Sequence, residues 1–450
     1  MPQLLVCEST FWSSLDALSI TIVSITLYFS SHLMGFSKSR PLFSSAARRL
    51  SKSPASYLLC RSWQHQPKFC PASTLAASEP VGASLSGANI SIEKTATPKE
   101  KLPPTKLVFG HTFTDHMVQI PWNDTDGWLT PKILPYQNLS LDPATCVFHY
   151  AFECFEGMKA YKDSNGSIRL FRPDKNMDRM SKTAARICLP TFDHDALIKI
   201  IAELVKLDGD WIPSERGYSL YLRPTLIGTQ ASLGVAPPKS ALLYVIMSPV
   251  GPYYPTGFKA VKLEATDYAI RAWPKGVGDR KLGANYAPGI LPQRMAASRG
   301  FQQNLWLFGD EGYITEVGTM NAFFVFQLSD GKLELVTAPL DGTILEGVTR
   351  DSILALARER FDKDKWVISE RKFTIQEVAD HAKAGTLVEA FGSGTAAVVS
   401  PIKEISWRDQ PISVPLQAGK ETGTVAEQMA QWIAEIQYGE VEHPWSVLLN

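Results

Sequence analysis

The run GVGDRKLGANYAPG, Gly276 to Gly289, surrounds Lys281 with small and apolar residues, a setting that suits a nucleophilic amine better than a solvated charge. A lysine that forms an imine with an aldehyde must lose its proton near neutral pH, and an apolar or cationic environment disfavours the ammonium form. Arg280 and the apolar residues after Lys281 are placed to supply both. Gly276, Gly278, Gly283 and Gly289 let the backbone approach a flat bound molecule, and Tyr286 offers it a phenol. Taken alone, a lysine in a glycine-rich loop is more often a solvated loop residue.

Four further segments carry groups that complement such an amine. In YSLYLRP, strand alternation puts Ser219, Tyr221 and Arg223 on one face. Where that face lines a cleft, a guanidinium beside a phenol receives a carboxylate; otherwise it is an exposed face with an ion-paired arginine. In GYITEVGTMNAFFVF, Glu316 lies in an apolar, β-forming stretch and needs a cationic partner, either an ordinary arginine or a pyridinium nitrogen. ELVTAPLDGTILEGVTRDSILALA reads as strand, turn and a helix starting near Gly347, which puts the Val348 and Thr349 amides at a helix N-terminus suited to phosphate. FGSGTAAV, Phe391 to Val398, is a second glycine-rich turn able to present amides to an anion. An aldehyde for the lysine, a ring nitrogen for the glutamate, a phosphate for the helix and a carboxylate for the arginine together describe pyridoxal 5'-phosphate chemistry.

These groups need a frame to hold them. Strands are expected at Lys106 to Phe109, Ser167 to Phe171, Tyr218 to Leu226, Ala241 to Ser248, Asn304 to Phe308 and Ala322 to Gln327. Helices are expected at Lys175 to Ile187, His194 to Lys206, Val348 to Arg360 and Thr424 to Tyr438. This is an α/β (α+β) pattern without repeats. The stretch GPYYPTG, Gly251 to Gly257, divides a smaller α/β domain, 104–252, from a larger domain, 253–450.

Composition narrows the partners. The 450 residues hold 45 basic and 45 acidic side chains, so no net field favours nucleic acid or an anionic membrane, and a small-molecule substrate fits best. The cysteines at 7, 60, 70, 146, 154 and 188 form neither C-x-x-C pairs nor a disulfide scaffold, which fits a reducing compartment. No metal site is expected: the eight histidines are scattered and H-E-x-x-H is absent.

Residues 1–78 read as a targeting segment and 79–103, rich in Ser, Ala, Pro and Gly, as a linker. From Ala17 to Ser78 there is no acid, while Lys38, Arg40, Arg48, Arg49, Lys52, Arg61 and Lys68 are spread among Ser and Ala. That is the composition of a mitochondrial presequence; a disordered basic tail, with the protein in the cytoplasm, is the alternative. The uncharged run Ala17 to Ser37 has the length of a membrane span, weakened by five serines and two threonines, and Met34 opens a shorter chain with an ordinary presequence. No stable membrane anchor is expected in the mature protein.

The strings FGHTFTDHM, FECFEGMKAY, RLFRPDKNMDRM, YLRPTLIG, GVGDRKLGANYAPG, ITEVGTMN, ILEGVTR and FGSGTA occur in an order that resembles the branched-chain amino acid aminotransferases of pyridoxal-phosphate fold type IV, from about Lys106 to the end. The resemblance implies Lys281 as the Schiff-base lysine, Tyr286 near the cofactor's O3′ and Glu316 facing its ring nitrogen. It implies Arg179 of NMDRM, the Val348 and Thr349 amides and Thr395 around the phosphate. Around the substrate it implies Phe109, Tyr150, Phe155, Tyr221, Arg223, Val235, Tyr253, Thr319 and Ala396. Similar enzymes are homodimers, in which Tyr150, Leu233 and Val235 reach the neighbouring subunit's site. Animal mitochondrial members carry a C-x-x-C pair after GSGTA; here Ala397 and Ser400 stand there, so that thiol switch is not expected. The reaction implied is ping-pong exchange of nitrogen between Leu, Ile or Val and 2-oxoglutarate. Competing readings are a D-amino acid aminotransferase, 4-amino-4-deoxychorismate lyase, a paralogue in a specialised pathway, a catalytically idle scaffold, or a membrane-anchored protein.

Overall fold

A computed structural model describes residues 82–251 and 259–449. The proposed targeting segment, the run Ala17 to Ser37 and Tyr253 lie outside these residues, as does most of the dividing stretch GPYYPTG. Two sheets organise what is described.

The first sheet runs in the order Ser91–Ile92, Lys132–Pro135, His116–Asn123, Ser240–Val250, Ser219–Gly228, Met158–Lys162, Ile168–Phe171 and Ser446–Leu449, with Glu153–Phe155 paired to Ser219–Gly228. Its central hairpin, Ser219–Gly228 with Ser240–Val250, is antiparallel over its whole length, with Arg223 opposite Ile246. Helices Pro173–Arg186 and His194–Leu207 cover one face. The second begins where the Asp193 carboxylate accepts the Ala196 N–H at 2.7 Å, an N-cap. Leu197, Ile200, Ile201, Leu204 and Val205 then recur at helical spacing and are buried, each burial stabilising by roughly 1.5–3 kcal/mol.

In the second sheet Tyr313–Val317, Gln303–Phe308, Val261–Thr266, Val398–Trp407, Leu387–Gly394 and Met320–Gln327 follow one another, and pairing of the last with the first closes these six strands into a ring. Leu333–Thr337 and Trp366–Glu370 extend the sheet beyond Met320–Gln327. The unbroken apolar run AFFVF, Ala322 to Phe326, has its reason here. Ala322, Phe324 and Phe326 point into the ring core, while Phe323 and Val325 point the other way, against helices Val348–Arg360 and Thr424–Gln437. That outer cluster also takes Tyr161 and Phe171 from the first sheet, so one core spans both.

Two expectations change. Lys106 to Phe109 is not a strand: Pro104–Lys106 is a single 3-10 turn, closed by Lys106 N–H to Pro103 O and Leu107 N–H to Pro104 O. Proline fixes the backbone there, and Val108 is exposed, so the apolar run had no neighbouring strand to satisfy. The described part of the expected linker 79–103, residues 82–103, does more than link, since Ser91–Ile92 adds a parallel edge strand to Lys132–Pro135 and Leu85 is buried in the first core. Short Ser- and Gly-rich edge pairing leaves no periodic signal in sequence.

Among the described residues no helix is long and apolar enough to cross a membrane, and no cluster of His, Cys, Asp and Glu could hold a metal ion.

Candidate active site

A cavity of about 400 Å³ opens between the sheets, lined among others by Phe109, Phe155, Arg179, Tyr221, Arg223, Lys281, Tyr286, Glu316, Thr319, Val348, Thr349, Thr395 and Ala396. Thirteen of the residues singled out from sequence thus meet in one place. Tyr150 and Val235 do not: both are exposed, outside the cavity of their own chain, and the Tyr150 hydroxyl donates to the Leu233 carbonyl.

Lys281 sits half-buried on a loop stitched to Glu153–Phe155. The Phe155 N–H donates to Lys281 O at 3.1 Å, and the Lys281 N–H donates to Thr183 Oγ1 at 3.2 Å. Its Nζ donates to the Tyr286 hydroxyl at 3.1 Å and lies 4.9 Å from the centre of the Phe155 ring. The amine therefore faces a phenol and an aromatic wall. Arg280, expected to help disfavour the ammonium, instead pairs with Asp279 at 2.7 Å, because adjacent opposite charges in a turn reach each other before either reaches the cavity.

At the deep end, Glu316 has the arginine that its buried position demanded. Arg271 Nε lies 2.8 Å from Glu316 Oε2, and the Leu345 N–H donates to Oε1 at 2.8 Å. Burial pushes the Glu316 carboxyl above the ordinary range, with Arg271 and the Leu345 N–H pulling it back. A buried acid with one oxygen on an arginine keeps acceptor capacity for a cationic N–H in the cavity. Arg179 is likewise held, bidentate on Glu156 at 2.7 Å to each oxygen, with a third bond to Glu346 O at 2.9 Å. Arg179 holds the Glu156 carboxyl below its ordinary range against the opposing effect of burial.

The phosphate-suited end is where expected. Helix Val348–Arg360 starts directly after Gly347, its first turn lining the cavity. First-turn amides have no intrahelical acceptor, so they are donors for a ligand. A Cβ at Gly347 would come within 2.0 Å of Asn321 Oδ1 and displace that buried side chain. Opposite, strand Leu387–Gly394 turns through Thr395–Ala397 into Val398–Trp407, and Lys159 Nζ holds the Ala396 carbonyl at 2.9 Å from behind. Ser393 Oγ, buried on the cavity wall, has no protein partner.

On the side toward the first sheet, Arg223 and Tyr221 point together as alternation requires, the guanidinium donating to the Tyr221 hydroxyl at 3.1 Å. Phe109 packs edge-on to Tyr221, centroids 4.9 Å apart, and Arg223 stacks 4.5 Å over Phe155.

Sequence reasoning missed Glu156, Arg271, Ser393 and Glu153. The two glutamates and Arg271 are joined to the site through long-range pairing, although FECFEG puts both glutamates beside Phe155, and Ser393 stands within FGSGTA two residues before Thr395.

An amine beside a phenol, a buried acid and a helix N-terminus define a class of enzyme that handles amino groups on an aldehyde cofactor. The family model described as amino-transferase class IV matches residues 153–405. The mitochondrial branched-chain-amino-acid aminotransferase of Saccharomyces cerevisiae is 64% identical over 367 residues, 81% of this chain and 93% of that protein. The cytosolic enzyme of the same yeast is 63% identical, over 81% and 97%. Among solved structures, the T.th. branched-chain amino acid aminotransferase with pyridoxamine 5'-phosphate aligns at TM-score 0.56 and 25% identity, covering 74% of this chain and 98% of that one. That of Escherichia coli aligns at TM-score 0.56 and 23% identity, covering 74% and 99%, and shares the fold. The chain belongs to the class IV aminotransferases and, within them, to the branched-chain-amino-acid aminotransferases, a two-domain fold type IV enzyme family.

Its cofactor is pyridoxal 5'-phosphate, and the cavity fits that group. A buried acid stands at one end, a helix N-terminus and an unpartnered Ser393 hydroxyl line the wall, and Lys281 lies between them.

Proposed function

We propose that this enzyme transfers the amino group of Leu, Ile or Val to 2-oxoglutarate, giving branched 2-oxo acids and L-glutamate, in two half-reactions at one cavity. The observation that carries this reading is Lys281 Nζ held 3.1 Å from the Tyr286 hydroxyl in the same cavity as Glu316, Arg223 and the Val348 helix start. When bound, the cofactor supplies the aldehyde that carries the amino group and a ring that accepts the electron pair left at the substrate Cα.

The chain's residues do the rest. Lys281 Nζ would hold the cofactor, and once a substrate amine takes its place the freed amine would remove the proton from the substrate Cα and deliver it to the cofactor carbon that bears the nitrogen, as base and then acid. Tyr286 keeps that amine oriented through its hydroxyl. Glu316, fixed by Arg271 and the Leu345 N–H, keeps a proton on the ring nitrogen, a contribution felt most in the transition state. The Val348 and Thr349 amides and the Thr395 hydroxyl grip the phosphate. Arg179, anchored on Glu156 and on the Glu346 carbonyl, borders that end and fixes the segment leading into the helix. Phe109, Phe155, Thr319 and Ala396 wall the substrate, with Tyr253 assigned there from sequence. Arg223 and Tyr221 meet the distal carboxylate of glutamate while the aromatic wall takes the branched side chains.

The enzyme works as a homodimer in this proposal. Phe148, Tyr150, Leu233 and Val235 leave an exposed apolar surface on the single chain, suited to cover a neighbour's cavity. Residues 104–252 and 253–450 form the two domains. Its basic leader, without acids from Ala17 to Ser78, directs it to the mitochondrial matrix; both mitochondrial and cytosolic relatives are known in yeast.

A panel of amino donors with 2-oxoglutarate tests the assignment. Leu, Ile and Val are expected to react with ping-pong kinetics. Activity confined to D-amino acids, or cleavage of 4-amino-4-deoxychorismate without nitrogen transfer, would overturn it.

A further inference from the structure

The cavity lining contains an acid with no task in the reaction above, Glu153. It lies two residues before Phe155 on the same short strand, so the two side chains share a face. That strand pairs with the one bearing Tyr221 and Arg223, Glu153 opposite Ile227 and Phe155 opposite Thr225. The Phe155 ring is flanked by the Arg223 guanidinium at 4.5 Å and Lys281 Nζ at 4.9 Å, and the Glu153 carboxylate is close enough to feel both cations.

Glu153 is also seated against the lysine's own loop. It accepts the Gly283 N–H, and a Cβ at Gly283 would come within 1.9 Å of Glu153 Oε2, so the carboxylate occupies the space that a side chain at 283 would take. The neighbouring Cys154 bridges to Leu282, which fixes the strand and the loop to each other.

The charges around the cavity then sort themselves. Arg179 is committed to Glu156 and Glu316 to Arg271. Arg223 and Glu153 line the same wall, and among the described residues neither has an ion-pair partner. Burial pushes the Glu153 carboxyl above its ordinary range, while the Gly283 N–H, Arg223 and Lys281 pull it down. An acid left half-buried in a cavity that must receive a second acid opposes that ligand.

We infer that Glu153 is a specificity-determining residue: its charge offsets part of the attraction of Arg223 for a distal carboxylate, and so holds acidic and aliphatic side chains in balance within one cavity. This rests on the reading that both substrates share the cavity. An aliphatic side chain carries no charge for Glu153 to oppose, so only the dicarboxylate is penalised.

The test is Glu153→Gln in the full holoenzyme, which keeps an acceptor for the Gly283 N–H and removes the charge. Two unreactive probes are titrated against the bound cofactor's absorbance: glutarate, a dicarboxylate, and 4-methylpentanoate, an aliphatic monocarboxylate. The glutarate Kd is expected to fall by roughly five- to tenfold, with the 4-methylpentanoate Kd within about twofold of its original value. The KM for glutamate should fall with the first and that for leucine stay with the second. Glu153→Asp keeps the charge and should keep the original ratio of the two Kd values, even if the shorter side chain weakens both. Equal changes for the two probes in the Gln variant, weaker glutarate binding, or a Gln-like ratio in the Asp variant would overturn the inference. Leucine turnover by the unaltered enzyme tests the reaction itself, so failure there is distinguishable from failure of the Kd ratio.

Discussion

The two ends of the cavity are built on opposite principles. Around Glu316 and Arg179 every charge is buried and matched: Glu316 by Arg271, Arg179 by Glu156, each with backbone bonds besides. Around Arg223 the guanidinium rests on aromatic rings and a phenol, with no carboxylate bound to it. A matched, buried network is rigid and costly to disturb. An arginine on rings keeps its charge available and tolerates different neighbours. The first suits a cofactor that never changes, the second a substrate that alternates between an aliphatic and an acidic side chain.

The residue between these ends gives the largest effect. Lys281→Ala should lower kcat by about 10³-fold or more and abolish the absorbance of covalently held cofactor, with an unchanged far-UV circular dichroism spectrum. Undiminished turnover would remove the axis on which the comparison turns.

Breaking the matched end should cost stability as well as activity. Glu156→Ala strands the buried Arg179 and Glu316→Ala strands Arg271, and each should destabilise by about 3–5 kcal/mol in denaturant unfolding. If either variant unfolds like the parent protein, the network is not the rigid end described here.

At the adaptable end the expected loss is selective. Arg223→Ala should reduce kcat/KM for glutamate by about 10- to 100-fold, since a charge-assisted carboxylate contact is removed, and that for leucine only a few-fold. Equal losses would mean that Arg223 supports the wall rather than the distal carboxylate.

The smallest effect concerns Lys159, behind the Ala396 carbonyl. Burial pulls its ammonium pKa down to about 8 from 10.5. Between those values the unfolded chain binds more protons than the folded one, so this group makes stability rise with pH across that window and imposes a constant penalty below it. Lys159→Met should remove that slope, measured as the denaturation midpoint of both proteins from pH 8 to 10. An unchanged slope would assign the lysine no such burden.

How much of this was legible in sequence follows from the range of each interaction. Tyr221 and Arg223 were readable because alternation is local, and the helix start at Val348 because Gly347 and the turn before it adjoin the apolar period. Arg271 was not, since its loop meets Glu316 only when it folds over the distant strand Tyr313–Val317. Glu156 and Glu153 were passed over because a glutamate in FECFEG shows no sign of burial until Pro173–Arg186 and the Lys281 loop pack over it. Lys106 to Phe109 misled in the opposite direction, its apolar run lacking a strand to pair with, and Tyr150 and Val235 cannot be placed at a cavity by one chain alone.

The most direct test of the account is borohydride reduction of the cofactor-loaded enzyme followed by peptide mapping of the fixed label. The account predicts the label on Lys281, within the peptide LGANYAPG and its preceding lysine. A label on any other lysine, or a protein that takes up no cofactor, would contradict it.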